Sequence, residues 1–110
     1  MATYTVQTVT RSGITPTKNA VSASDDFVND GLTVLHVING SGGSLTVTIV
    51  TPGTSDGLAV ADRTVTIPNG EERVIGPFPR AIYNATATGK VTVTFSATTS
   101  VTCQALSVTP

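Results

Sequence analysis

His36, Cys103 and seven carboxylates are the side chains on which catalysis or metal binding would have to rest. Acyl-transfer chemistry needs a nucleophile, a base and a group that orients the base. His36 is the only histidine, and it stands mid-strand in the apolar run VLHVI, where no nucleophile elbow forms. It reads as a packed or interface histidine. Cys103 lies in the alternating run VTCQAL. A reactive thiolate needs electropositive, partly open surroundings, and none is near in sequence, so Cys103 reads as a buried structural thiol. A single cysteine also excludes an intrachain disulfide.

Asp25, Asp26, Asn29 and Asp30 supply the oxygen atoms that calcium prefers, but not the alternating spacing of an EF-hand loop. Asn and Asp before Gly31 are ordinary turn formers. Asp56 and Asp62 flank a loop and suit Asx turns or an ion pair with Arg63; Glu71 and Glu72 suit a solvated hairpin tip. There is no His/Cys set for zinc and no glycine-rich phosphate loop. The expectation is therefore no catalytic residue, no cofactor and no metal. Two glycosylation acceptor patterns, at Asn39 and Asn84, have no consequence without a secretory route.

Three Phe, two Tyr and no Trp leave little to line a ligand pocket, or to stack sugars or single-stranded bases. Charged residues are 12% of the chain and the net charge is −1. Average soluble proteins carry about 25% charged residues. The six basic residues are scattered. Nothing electrostatic therefore points to nucleic acid or an anionic membrane as partner.

The elements that must position these residues are strands. Threonine fills about a fifth of the chain and valine is also abundant. Both are β-branched, which suits a pleated sheet. Period-2 alternation divides the 110 residues into about eight short strands separated by turn signals. Residues 3–10 form the first, broken by Ser12-Gly13 and Pro16. Residues 16–30 are polar and irregular, anchored by Phe27 and Val28; a short helix over 22–29 is the one helical alternative. Residues 32–39 carry apolar side chains on both faces, as expected of a strand covered on both sides.

Residues 44–51, with Leu45, Val47 and Ile49 inward, pair with 32–39 as a hairpin across a glycine-rich turn. Leu58 and Val60 pack down the loop that follows. Residues 64–67 turn at Pro68-Asn69-Gly70 and return as 72–75, and Ile82 and Tyr83 form a short piece. Residues 90–97 place Val91, Val93 and Phe95 inward, and 101–108 close the domain. This predicts an all-β class: a single β-sandwich or jelly-roll-like domain of antiparallel strands over 1–110, with an extended N-terminal arm over 1–23 as an option. MATYTVQTVT has no basic n-region and no apolar h-region, so synthesis and retention in a reducing cytoplasm are expected.

The order TVQTVTRSGITPT, NDGLTVLHVING, TVTIVTPGTSDGLAVADRTVTIPNGEERVIGPFPRAIYN, GKVTVTFSATTSVTCQAL resembles small β-rich virion proteins of tailed bacteriophages. Several of these are capsid decoration, or cement, proteins encoded beside the major capsid protein. The extended N-terminus and the turn-flanked RVIGPFP segment are the parts matched. The resemblance implies no catalytic residues. It implies a structural role on the outer capsid surface of the virion, with the major capsid protein as partner and self-association, a homotrimer being preferred. Thr3, Tyr4, Thr5, Val6, Gln7 and Thr8 are the candidate contact residues, because an extended N-terminal strand can pair with a neighbouring chain. A head–tail connector or tail component is the alternative. A bacterial adhesive or carbohydrate-binding module comes third, weakened by the few aromatics.

Overall fold

A computed structural model describes residues 2–108; Met1, where the expected arm begins, and residues 109–110 lie outside the described part. The chain is all-β, with two sheets packed face to face. The first sheet contains β1 (Thr3–Tyr4), β4 (Ser24–Val28), β11 (Lys90–Phe95), β6 (Leu45–Ile49) and β9 (Arg63–Ile67), in that spatial order. The second contains β10 (Glu72–Ile75), β5 (Thr33–Asn39), β12 (Val101–Val108) and β2 (Gln7–Val9), with β3 (Asn19–Ala20) beside the start of β12. A hairpin of β7 (Thr54–Ser55) and β8 (Leu58–Ala59) stands apart from both.

Alternation explains the interior. Inward positions of the first sheet supply Tyr4, Phe27, Leu45, Val47, Ile49, Ile67, Val91, Val93 and Phe95, all buried. The second supplies Leu35, Val37, Val101, Cys103 and Ala105. Phe78, on the connection after β10, packs at 5.8 Å from the Phe27 ring and 5.3 Å from the Tyr83 ring.

The connections correct several expectations. The 32–39 and 44–51 segments are not a hairpin: β5 and β6 lie in opposite sheets, and the glycine-rich loop arches across the sandwich. The same holds for β9 and β10. A turn signal says where a strand stops and is silent on which sheet receives the next one. Residues 3–10 also divide, with β1 in the first sheet and β2 in the second. Both pair in parallel, β1 with β4 and β2 with β12, so the sheets are mixed rather than purely antiparallel.

Within 16–30 lie two strands, β3 and β4, in place of irregular chain or a helix. Phe27 anchors β4, whereas Val28 is exposed. Leu58 does not pack its loop down; it is 72% exposed beside the Asp56-Gly57 turn, both of whose residues have positive φ, as a two-residue hairpin loop requires. Ile82 and Tyr83 belong to one helical turn, α1 (Arg80–Tyr83). Gly53 lets the base of the β7–β8 hairpin meet that turn. Its N–H donates to the Ile82 carbonyl, and a Cβ there would lie 2.4 Å from the Ala81 carbonyl oxygen.

Candidate interaction surfaces

Residues in register on neighbouring strands share a face, so the registers give the composition of each outer surface. On the first sheet, Ser24, Thr94, Thr48 and Thr64 form one row across four strands. Thr46 and Thr66 form a second, and Thr3, Asp26 and Thr92 a third. This face is a hydroxyl array with Asp26 and Lys90 towards one side.

The outer face of the second sheet is different. Its rows are Glu72, Ile38 and Thr102; then Val74, His36 and Gln104; then Val34, Leu106 and Gln7; then Val108 beside Val9. Leu32 extends the last row, where the Val108 N–H donates to its carbonyl. Val74 is 65% exposed, Val108 49% and Leu32 43%, while Val9, Val34, Ile38 and Leu106 are half-buried. Strands of four, seven, eight and three residues, about 4.8 Å apart, make roughly 350 Å², polar positions included. The largest apolar patch on a typical monomer is of this order, about 300–600 Å², and is often functional.

His36 sits at the centre of this face. Gln104 Nε2 is 2.7 Å from His36 Nδ1, and His36 Nε2 is 3.4 Å from Glu72 Oε1. The arrangement fits the Nε2–H tautomer, with the amide donating to Nδ1. Gln104 Oε1 is buried without a partner. His36 thus faces an amide and a carboxylate.

The sequence candidates Thr3, Tyr4, Thr5, Val6, Gln7 and Thr8 divide between the two sheets. Thr3, Thr5 and Thr8 are exposed, Val6 and Gln7 half-buried and Tyr4 buried. Thr3 donates to Asp26 at 2.5 Å. Gln7 clasps the Thr17 backbone, donating to its carbonyl at 2.9 Å and accepting from its N–H at 2.7 Å. The side chain of Tyr4 is a core group, its hydroxyl donating to Asp25 Oδ2 at 2.5 Å.

Asp25, weighed in the sequence only as a calcium ligand or turn residue, has a buried role that the sequence reading missed. It is fully buried and also accepts hydrogen bonds from the Ala2 N–H at 2.8 Å, the Ser22 N–H at 3.0 Å and the Ser22 hydroxyl. Burial opposes its ionisation, but the donors from Ser22, Tyr4 and Ala2 prevail and hold the carboxyl below the usual carboxylate range. Burial in turn pushes the Tyr4 phenol and the Cys103 thiol up. The carboxylate therefore pins the N-terminal strand to the sandwich. Position 25 of an alternating strand would have shown its inward direction; the neighbouring Asp26 and the turn-like composition masked it.

The remaining carboxylates do not converge. Asp62 accepts from the Thr51 N–H and hydroxyl, both at 3.0 Å, rather than pairing with Arg63. Asp30 caps its own turn through the Leu32 N–H at 2.9 Å. Glu71 pairs with Arg73 at 3.0 Å. Among the described residues no group of three or more His, Cys, Asp or Glu could hold a metal ion. Among the described residues no helix is long and apolar enough to cross a membrane. No protein-family model, curated protein or solved structure matches this chain.

Proposed function

We propose that this chain is a structural protein of a bacteriophage virion: a decoration protein that binds the outer surface of the assembled capsid and stabilises the head. The observation that carries the reading is the outer face of the second sheet, where Leu32, Val74 and Val108 stand exposed beside half-buried Val34, Ile38 and Leu106. Leaving such a face in water costs about 25 cal/mol per Å², which a partner surface removes. The resemblance of nearly the whole chain to β-rich phage virion proteins supplies the partner, the major capsid protein.

The size of the face fits a lattice role. A stable two-body interface buries about 800 Å² on each partner, more than twice this patch. One copy alone then binds weakly, and repetition over a symmetric lattice raises the effective affinity. Self-association as a homotrimer belongs to the same proposal.

Quantitative mass spectrometry of purified particles tests it. A copy number comparable to that of the major capsid protein is expected. A count limited to one ring or to the tail would move the chain to a connector or tail component, and absence from particles would overturn the virion reading.

A further inference from the structure

The sandwich has four sheet edges. β1 spans two residues and β2 three, and β2 is flanked by the Gln7–Thr17 clasp. β10 carries Glu72 and Arg73 within four residues, the kind of charge that deters pairing. β9, RTVTI, is the exception: five residues with one charge, Arg63, at its first position and no proline.

The backbone direction along β9 follows from its neighbours. The Ser96 N–H donates to the Thr46 carbonyl, and the Val50 N–H to the Thr92 carbonyl, each at 3.0 Å. The backbone groups of Thr46 and Val50 therefore face β11. Those of the alternate residues Val47 and Ile49 face β9. Their register partners Val65 and Arg63 turn inward to meet them. The N–H and C=O of Thr64 and Thr66 are left on the outer side, where no backbone partner meets them among the described residues.

We propose that β9 is a homotypic pairing edge: two copies of this chain join β9 to β9 in antiparallel register about a two-fold axis at Val65. Thr64 of one copy then faces Thr66 of the other, twice, and every outward N–H and C=O of both residues is satisfied. A shift in either direction loses this match, because it sets one threonine opposite Asp62 or Pro68, which lie outside the strand; Pro68 also has no N–H to give. The side chains agree with the register. Thr64 beside Thr66 continues the hydroxyl array across the seam, Val65 meets Val65, and Arg63 meets Ile67, with no like charges opposed. The contact is isologous and closes as a dimer. It stands independently of the capsid reading; on a particle it would tie neighbouring copies, or neighbouring trimers, together.

Sedimentation of the purified chain over a wide concentration range is the test, with the paired variants T64K/T66K and T64E/T66E. The wild type is expected to dimerise. Each variant alone should be monomeric with an unchanged circular dichroism spectrum, because like charges then meet across the seam. An equimolar mixture of the two should dimerise again. Amide hydrogen exchange of the wild type gives a second readout that needs no substitution: Thr64 and Thr66 should become protected as concentration rises. A wild type that stays monomeric to about 1 mM, a scale at which even weak complexes form, would overturn the proposal. So would variants that associate as the wild type does, or Thr64 and Thr66 amides that stay unprotected in the dimer.

Discussion

Thr46, Thr48, Thr64, Thr66, Thr92 and Thr94 cover one outer face of the sandwich, while Val34, Ile38, Val74, Leu106 and Val108 cover the other. Apart from Val74 on β10, both sets stand on strands whose opposite side is buried in the core. Threonine and valine are near-isosteric, and both favour the pleated sheet. Folding alone is therefore served equally by either on an outer face. Water is not: the hydroxyl is hydrated in place, whereas the methyl costs free energy until something covers it. The two outer faces therefore differ in what water costs them rather than in how well they serve the fold.

The sharpest break would come from two adjacent residues on β6. Ile49→Ala should cost about 2–5 kcal/mol in urea unfolding, through lost burial and a residual cavity. Thr48→Ala should stay within about 0.5 kcal/mol. Equal costs would mean that inner and outer sides of this sheet have been confused. The next effect concerns how the first sheet holds its N-terminal edge. Asp25→Asn should cost about 1–3 kcal/mol, because it disturbs a buried, multiply bonded acceptor. The Asp25 carboxyl is held low in the folded state, so its stabilisation is complete above the unfolded value near ~3.9. It disappears as pH falls through the folded value. A melting-temperature series from neutral to strongly acidic pH should show wild type and variant converging at the acid end.

Binding should separate the two faces. On the proposed decoration role, V74D/L106D should lower capsid occupancy at least tenfold, equivalent to about 1.4 kcal/mol, whereas T48D/T92D on the hydroxyl face should leave it unchanged. Mass spectrometry of reconstituted particles reads both; equal losses would show that the apolar face is not the binding side. The smallest effect belongs to the centre of that face. H36L/Q104L removes the imidazole and its amide partner together, along with the unsatisfied Gln104 Oε1. Replacing both members of such a pair is nearly neutral, so chemical unfolding should shift by less than about 1 kcal/mol.

Much of this was legible residue by residue. Leu45, Val47, Ile49, Val91, Val93 and Phe95 were expected to face inward and do. His36 was read as a packed or interface histidine and Cys103 as a buried thiol; Cys103 is buried and His36 is held by Gln104 and Glu72. The apolar positions of β5 on both sides were also visible, since a strand showing Val34 and Ile38 outward departs from simple alternation. Asp25 was not, because a buried carboxylate is indistinguishable from a turn carboxylate until its donors are assembled around it. Those donors come from Ala2, Tyr4 and Ser22, up to 23 residues away.

Strand content and the inward or outward direction of most side chains were determined by the sequence itself, because both depend on local properties: β-branched side chains, a period of two and the turn residues between. Which strands became neighbours was decided only in the tertiary structure. Pairing is settled by closing two apolar faces over one interior, and a glycine-rich turn that could close a hairpin serves equally as an arch between sheets. For that reason β5 and β6, adjacent in sequence, lie in different sheets, whereas β5 and β12, more than 60 residues apart, share the longest register in the molecule.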